Sequence, residues 1–344
     1  MEFTTIAKET VLLNPLQDMN RRRVASEIRI DPLTGHSSRI CHFMKLQWEK
    51  PDLAQLADRT AAGCPFCPDR VMAITPWFPP EILPEGRLVS EDRVLFPNLA
   101  PYEALSAVAV MGAEHFIPMT HLAPQRIAAS FELCLTFFQA LQRANHPESV
   151  YHMINWNYMP PSGSSIIHPH LQVFAGSFAP NLMRLELSAA RAYHQSHGTN
   201  YWDDLVAVER AHGDRYLGRI GRTSWLSAFA PLGIAGDVVA VVDGLHCTLE
   251  LTPEDLADLA LGLTRAMAAY DDMGVFSFNM NFFTGAAGDD HYRLHLVFSP
   301  RTFYNQALGT PDVGALQQLY REGVCMAFPE EINQRLKPHF SAGR

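Results

Sequence analysis

Residues 162–172 read SGSSIIHPHLQ, a loop of small residues that leads into a segment with two histidines and a glutamine. Side chains alternate along a strand, so His168, His170 and Gln172 are predicted to share one face, with apolar Leu171 on the other. Neutral imidazole is a nucleophile near pH 7. An amide such as Gln172 can donate to a phosphoryl oxygen, and backbone N–H groups of the loop can bind the other oxygens. The segment therefore indicates a site for transfer of a phosphorus-containing group.

The composition is that of a globular protein. The chain has 344 residues, of which 47% are hydrophobic and 18% charged, and this length fits two domains or one duplicated domain. Its net charge of −9 argues against a nucleic-acid-binding surface, whereas a few arginines still allow a local pocket for an anionic small molecule. Residues 1–17 lack the apolar stretch of a signal peptide, and no long apolar run follows. We expect a cytoplasmic protein that binds neither nucleic acid nor a membrane.

The cysteines point to a metal site. Six cysteines are too few for a disulfide scaffold, and four of them are isolated. Cys64 and Cys67 differ, because residues 64–68 read CPFCP, a tight turn in which two thiolates can bind one metal ion. A redox pair and no role at all are the alternatives, although Pro68 and the prolines after it disfavour the helix that a redox motif needs. Tetrahedral zinc would need two more ligands, and histidines are the available source.

The two halves of the chain repeat one order of elements. The predicted elements of the first half are a strand over 107–110, His115, a helix over 124–145 and strands over 151–157 and 168–175. Those of the second half are a strand over 238–242, His246, a helix that begins after Thr252 and strands over 276–283 and 292–299. Duplication explains this order. Where the first half has HPHLQ, the second has RLHLV at 293–297, so we expect the second half to close or line the pocket.

Four separated motifs are similar to those of the galactose-1-phosphate uridylyltransferase family, the transferase branch of the histidine-triad superfamily. They are DPLTG at 31–35, CPFCP at 64–68, FPN at 96–98, and Asn157 with the small-residue loop and HPHLQ at 168–172. The resemblance covers residues 29–335 and implies an α+β fold, a histidine-triad-like tandem pseudo-repeat of two half-barrel antiparallel sheets with packed helices. The corresponding domains are an N-terminal half with the catalytic and zinc motifs (1–180), a helical connector (181–215) and a C-terminal half (216–344).

The resemblance implies a catalytic and nucleotide-binding set. His170 would be the nucleophile that forms a nucleotidyl-histidine, and Gln172 would hold the phosphoryl group. The other members are three residues around the phosphoryl oxygens, Gly163, Ser164 and Ser165, and two that contact the nucleotide, Asn98 and Asn157. Arg39 is a candidate phosphate ligand, because Met44 stands where the family has an arginine.

The resemblance also implies a structural zinc ion, one per chain. Its ligands would be Cys64, Cys67, His115 and His168, with His121 as a substitute for His115. No iron is expected in the second half, where His295 alone matches a ligand of the second metal site that some family members have. Relatives are often dimers, which implies a possible homodimer.

The implied activity is ping-pong nucleotidyl transfer in galactose metabolism. His170 would attack the α-phosphorus of UDP-glucose, glucose 1-phosphate would leave, and a hexose 1-phosphate such as galactose 1-phosphate would accept the UMP group. An ADP-glucose or dinucleoside-polyphosphate phosphorylase is the alternative, favoured by Leu171, whereas the cysteine segment favours the transferase. A catalytically silent nucleotide-binding protein is a third hypothesis. It is disfavoured because such a protein needs the loop but not the imidazole.

Overall fold

A computed structural model describes residues 1–42 and 46–341, so Met44 lies outside the described residues. The first thirteen strands are β1 (Thr4–Asn14), β2 (Asn20–Ile30), β3 (Ser37–Cys41), β4 (Leu88–Ser90), β5 (Arg93–Pro97), β6 (Leu105–Val110), β7 (Tyr151–Tyr158), β8 (His170–Gly176), β9 (Tyr216–Ile220), β10 (Thr223–Ser227), β11 (Val238–Val242), β12 (Ser277–Phe283) and β13 (His295–Arg301). Three short strands follow, β14 (Phe303–Asn305), β15 (Thr310–Pro311) and β16 (Gly323–Cys325). The α-helices are α1 (Leu53–Ala61), α2 (Pro68–Ile74), α3 (Pro124–Arg143), α4 (Asn181–His197), α5 (Tyr201–His212), α6 (Pro253–Asp272), α7 (Ala315–Tyr320) and α8 (Pro329–Ser341).

A ten-stranded sheet forms the centre of the fold. Its strand order is β4-β5-β6-β8-β7-β12-β13-β11-β10-β9, and each half of this order has the same connectivity. β7 and β12 pair antiparallel across the boundary between the halves. The predicted α+β class and tandem repeat are confirmed, but the two expected sheets are continuous, because this pairing joins them into one.

The two equivalent helices cover one face of this sheet. Helix α6 begins as predicted: the Thr252 hydroxyl accepts from the Asp255 N–H, and Asp255 accepts from the Thr252 N–H. Apolar residues of α3 and α6, among them Phe131 and Leu263, form one core with alternate residues of the central strands. That core is shared by both halves. Helices α4 and α5 occupy the predicted connector at 181–215, while the division into three domains stays a prediction.

The strands predicted at 168–175 and 292–299 begin later in the structure than the sequence suggests. Each of them begins at a histidine. β8 begins at His170 and β13 at His295, two and three residues after the predicted starts. In the first half, Pro169 has no N–H to contribute to a ladder. The prediction that His168 lies on the same strand face as His170 and Gln172 is therefore wrong for His168, which precedes the strand.

A smaller sheet has the order β1-β2-β3-β16, and the side chains of Arg29 and Ser38 connect it to the second half. Arg29 lies over the Phe229 ring and donates to Glu330 at 2.8 and 2.9 Å. In the described ranges, no helix is long and apolar enough to cross a bilayer.

Candidate active site and metal centre

The face of the central sheet opposite α3 and α6 carries the polar residues of the predicted site. Leu171 and Val173 of β8 lie in the helix-covered core. His170 and Gln172 alternate with them and lie on the other face. Gln172 is directly opposite Asn155 of β7, which is opposite Asn281 of β12. The site therefore extends from β8 to the boundary between the halves.

His170 is held in one tautomer. Its Nδ1 lies 2.7 Å from the carbonyl oxygen of His168, and since a carbonyl only accepts, Nδ1 carries the proton. Burial lowers the pKa of His170, so the ring is neutral at pH 7 and Nε2 has a free electron pair. The Phe66 ring packs against the imidazole with a centroid distance of 5.1 Å. A neutral, oriented imidazole of this kind is suited to nucleophilic attack.

Cys64, Cys67, His115 and His168 come together in a cluster. Their ligand atoms all lie within 4.8 Å of one another. His168 Nδ1 is 3.7 Å from Cys64 Sγ and 3.8 Å from Cys67 Sγ, and His115 Nδ1 is 3.5 Å from Cys67 Sγ. In a tetrahedral zinc site, bond lengths of about 2.0–2.3 Å give nitrogen–sulfur separations of about 3.5 Å. The donor set and spacing therefore fit a tetrahedral metal ion, and the alternative ligand His121 is exposed outside the cluster.

The titration behaviour of the cluster agrees with metal binding. Burial lowers the pKa of His168 to about 4, which leaves a neutral ligand nitrogen at pH 7. Burial and the neighbouring Cys64 raise the pKa of Cys67 to about 11. The Cys67 thiol therefore stays protonated at pH 7 unless a cation compensates the charge of its thiolate.

Two groups that the sequence analysis missed orient the histidine ligands. Thr60 Oγ1 of α1 lies 3.0 Å from His115 Nε2, and the Gly112 carbonyl lies 2.8 Å from His168 Nε2. Both contacts leave Nδ1 directed at the cysteines. Such outer contacts fix ring orientation in metal sites. A lone threonine and a backbone carbonyl have no spacing signature, so no pattern in the sequence could have identified them.

The small-residue loop lies between β7 and β8. Gly163 has φ of +88°, a conformation that favours glycine, and open space surrounds the position of a Cβ there. Ser164 donates to the Ile166 carbonyl at 2.7 Å, and Ser165 is exposed. The loop therefore holds its own shape and leaves the Ser165 hydroxyl open.

Asn157 is joined to the loop by a residue of the second half. Asn279 of β12 donates through Nδ2 to Asn157 Oδ1 at 2.6 Å and to the Ser162 carbonyl at 2.9 Å. Arg301 donates to Asn279 Oδ1 at 2.5 Å and is itself held by buried Asp312. The second half therefore positions this candidate nucleotide contact, a role that only the sheet register reveals.

Two predicted ligands have other described contacts. Asn98 Oδ1 accepts from the Ala100 N–H at 3.0 Å and so stabilises the turn after β5. Arg39 lies on β3 in the smaller sheet, where its Nε is 3.3 Å from Glu322. Among the described contacts, none joins Arg39 to the loop or to His170.

A cavity of about 110 Å³ lies beside His295, at the place equivalent to the His170 site, and is formed by the second half together with the connector helices and N-terminal residues that include Asp31 and Leu33. Its walls include His295, Glu186 and Trp202. His295 Nδ1 lies 3.0 Å from the Arg293 carbonyl, the same bond to a carbonyl two residues earlier that His170 makes. His295 Nε2 is buried without a hydrogen-bond partner, 3.5 Å from Glu186.

Comparison with known proteins places this chain among related sequences. No family model matches it. An uncharacterised protein of Archaeoglobus fulgidus is 31% identical over 326 residues, which are 92% of each chain. The chain and this archaeal protein belong to one family. The galactose-1-phosphate uridylyltransferase of Haemophilus influenzae is 30% identical over 145 residues, 40% of this chain and 41% of that protein.

The fold has counterparts among solved structures. An ADP-glucose phosphorylase from Arabidopsis thaliana, solved with bound ADP-glucose, has a TM-score of 0.68 at 16% identity over 91% of this chain and 98% of that one. These matches confirm the predicted resemblance to the galactose-1-phosphate uridylyltransferases and the fold class. The predicted class of enzyme, one that transfers a nucleotidyl group on sugar phosphates, agrees with the names of both proteins. The alignment spans less than half of the Haemophilus influenzae protein, so activity and substrate are proposals for this chain.

Proposed function

We propose that this protein is a nucleotidyltransferase that uses His170 as its nucleophile, with UDP-glucose as donor and a hexose 1-phosphate, such as the galactose 1-phosphate of galactose metabolism, as acceptor. The bond from His170 Nδ1 to the His168 carbonyl carries this proposal, because it leaves the electron pair on Nε2. The same bond occurs at His295, so the proposal also rests on the small-residue loop that precedes the His170 strand and leaves the Ser165 hydroxyl exposed.

The reaction has two displacements at one phosphorus atom. Nε2 of His170 attacks the α-phosphorus of the donor, the Nε2–P bond forms, and the bond to the β-phosphate oxygen breaks. Glucose 1-phosphate leaves with the electron pair. A phosphate oxygen of the acceptor then attacks the same phosphorus, and the Nε2–P bond breaks to restore the imidazole. The 2.7 Å contact with the His168 carbonyl stabilises the positive charge of the intermediate ring.

The residues around His170 bind and orient the phosphoryl group and the nucleotide. Gln172 has its side chain on the same strand face and donates to a phosphoryl oxygen. Ser165, Ser164 and the Gly163 N–H surround the other oxygens. Two asparagines, Asn98 and Asn157, contact the nucleotide, and Asn279 supports Asn157 at 2.6 Å.

The cysteine–histidine cluster is proposed to hold one structural zinc ion. All four tetrahedral positions belong to Cys64, Cys67, His115 and His168, so a bound ion would cross-link the chain and activate no water. Since His168 also supplies the carbonyl that orients His170, the cluster and the nucleophile are held by one residue. All six cysteines lie in the described residues and none of them forms a disulfide bond, which supports a cytoplasmic location.

A phosphorylase that uses inorganic phosphate as acceptor is the second candidate, supported by the fold shared with the Arabidopsis thaliana ADP-glucose phosphorylase. Leu171, which favours this candidate in the sequence, is fully buried in the helix-covered core. It faces away from the site, and its identity therefore reflects packing more directly than choice of acceptor.

Trapping of the covalent intermediate tests the proposal. The protein is incubated separately with UDP-glucose, ADP-glucose and diadenosine tetraphosphate, without acceptor, and the adduct is located by peptide mass mapping. We expect a UMP adduct on His170 from UDP-glucose. An AMP adduct would instead favour the phosphorylase, and no adduct from any of the three donors would favour the silent nucleotide-binding protein.

His170→Asn is the matched control for this experiment. The asparagine amide can still donate to the His168 carbonyl but has no nucleophilic nitrogen. It should retain bound zinc and form no adduct. An adduct on another residue in this variant would overturn the assignment of His170.

A further inference from the structure

Three residues of the second half form a chain of hydrogen bonds that ends at the small-residue loop. Asp312, which follows β15, accepts from Arg301 through both carboxylate oxygens, at 2.6–3.1 Å. Arg301 is the last residue of β13 and donates to Asn279 of β12 at 2.5 Å. Asn279 in turn donates to Asn157 at 2.6 Å and to the Ser162 carbonyl at 2.9 Å. A buried carboxylate is thus connected to a candidate nucleotide contact.

Arg301 is fixed at its far end by a buried ion pair. The Asp312 side chain is 1% exposed, and its Oδ2 also accepts from the Thr302 N–H at 2.9 Å. A carboxylate that pairs with two nitrogens of a guanidinium is held in one geometry. Nη1 of Arg301 lies outside this pair and is the nitrogen that reaches Asn279. The sheet register favours this contact, because Asn279 lies opposite Ser299, two residues before Arg301 on the same face.

These contacts determine the orientation of two amides. A guanidinium only donates, so Asn279 presents Oδ1 to Arg301. A carbonyl only accepts, so Asn279 presents Nδ2 to Ser162, and both constraints select the same orientation. Because this Nδ2 also donates to Asn157, the Asn157 side chain presents Oδ1 to β12. Its own Nδ2 is therefore the group left for a ligand, and among the contacts of the described residues none uses that nitrogen.

The neighbouring pair of asparagines has no such anchor. Asn281 donates to Asn155 at 3.2 Å, two residues further along the same two strands. Within the part of the chain that the structure describes, no arginine hydrogen bonds to Asn281. Either orientation of these two amides is therefore compatible with a hydrogen bond between them. The charged anchor is found at the asparagine pair that contacts the small-residue loop.

We propose that Arg301, held by Asp312, is a positioning residue for nucleotide recognition. Through Asn279 it fixes the Asn157 side chain with its N–H group towards the substrate, so that this position selects a hydrogen-bond acceptor of the nucleotide. The inference rests on the proposed function, in which Asn157 contacts the nucleotide. A phosphoryl oxygen and a carbonyl oxygen of the base both have this chemistry, whereas an amino group of a base only donates and does not fit.

Binding measured without turnover tests the proposal. Isothermal titration calorimetry of the full-length His170→Asn protein gives the Kd for UDP-glucose and for ADP-glucose. Adding Arg301→Met should raise Kd about fivefold, near the cost of one hydrogen bond, because the Asn279 amide is then free to rotate. Arg301→Lys keeps a donor for Asn279 and should raise Kd less. Arg293→Met is the control, because it removes a similar pair with Asp203, at 2.6 and 3.0 Å, and should leave Kd unchanged.

Two results would identify the contacted atom, and both support the proposal. An equal increase in Kd for the two nucleotide sugars would place the Asn157 contact at a phosphoryl oxygen, which both ligands have. An increase confined to UDP-glucose would place it at a carbonyl oxygen of uracil, since adenine has none.

A double-mutant cycle shows whether Arg301 acts through Asn279. In an Asn279→Ala background, Arg301→Met should change Kd by less than about twofold, since the connection is already broken. The pair Arg301→Met, Asp312→Asn leaves no unpaired buried charge, which guards against misfolding, and should raise Kd as much as Arg301→Met alone. Additive effects in the cycle would overturn the proposal. So would an unchanged Kd in this paired variant with an unchanged circular dichroism spectrum. If neither nucleotide sugar binds to the wild type or to the His170→Asn protein, the proposed function fails and this inference with it.

Discussion

The His170 site and the His295 cavity occupy equivalent places in the two halves, and they share the backbone feature that matters most for a nucleophilic histidine. Each ring hydrogen bonds through Nδ1 to a carbonyl two residues earlier, at 2.7 Å for His170 and 3.0 Å for His295. In each half the strand begins at that histidine. The orientation of the imidazole therefore derives from the repeated strand start, and it does not distinguish the two sites.

What distinguishes them is the surroundings of Nε2. His295 is enclosed by the Trp202 ring at a centroid distance of 4.0 Å and by the Phe283 ring at 4.9 Å. Glu186 of α4 lies against its Nε2. The connector helices thus cover the second site. In the first half, His170 lies instead against the Phe66 ring and beside the metal ligand His168, and the small-residue loop that precedes it leaves the Ser165 hydroxyl exposed.

The largest expected difference between the two histidines is in catalysis. His170→Asn should lower nucleotidyl transfer by at least about 10³-fold, because the covalent route is lost. His295→Asn should change kcat by less than about tenfold per folded molecule, since Trp202, Phe283 and Glu186 surround its ring. The measurement is steady-state kinetics, with circular dichroism to normalise for folded protein. An equal loss of kcat in both variants would show that the two histidines do not differ in their catalytic role.

The cysteines provide the next contrast. Cys64→Ser should reduce bound zinc well below one per chain and lower the melting temperature by about 5–10 °C, because the metal cross-link contributes to folding. Cys247→Ser changes a cysteine of the second half that is also buried, and it should retain the metal. Elemental analysis and a thermal melt check both variants. Full metal content in the Cys64 variant would contradict the proposed ligand set.

The parts of this site that could be predicted are those with a short-range signature. The C-x-x-C turn, the two histidines around Pro169 and the small-residue loop each lie within a few residues, so their chemistry is visible in sequence. Thr60 and Asn279 act across 55 and 117 residues, on His115 and on the Ser162 carbonyl. Their roles depend on packing and register that a single sequence does not contain.

The fold likewise has parts that short-range patterns predict and parts that depend on long-range pairing. Periodicity predicts α3, α6 and the strands around them, because each has a regular apolar face. The continuous ten-stranded sheet depends instead on the pairing of β7 with β12, two strands whose asparagines look polar and unremarkable in the sequence. Asn155 and Asn281 hydrogen bond across this boundary at 3.2 Å, which makes polar residues suitable in the middle of a sheet.

The covered state of the second site also predicts how stability depends on pH. Burial raises the pKa of Glu186 to about 8, so its carboxyl is protonated in the folded protein at pH values where it ionises in the unfolded chain. The stabilising contribution of the neutral acid is complete below about pH 4.5 and is lost as pH rises towards 8, by at most about 1.4 kcal/mol per pH unit.

Glu186→Gln removes this titration and keeps an acceptor for the Tyr292 hydroxyl, which donates to Glu186 at 2.7 Å. Urea unfolding of both proteins at pH 5, 6 and 7 measures the effect. The free energy of unfolding of the variant should increase relative to the wild type with each step in pH. Parallel profiles would mean that Glu186 is already ionised and that the second site is more open than its contacts indicate.

The smallest expected effect concerns the boundary between the halves, where two asparagines of β12 form a matched pair. Asn279 holds both Asn157 and the Ser162 carbonyl, whereas Asn281 holds Asn155 alone. Asn279→Ala should therefore raise KM for the nucleotide sugar about tenfold, because a tenfold loss of binding corresponds to about the free energy of one hydrogen bond. We expect a smaller change in kcat. Asn281→Ala should raise KM less than about threefold. If the two variants behave alike, the second half acts as a general scaffold, and the specific link from β12 to the loop has no part in nucleotide binding.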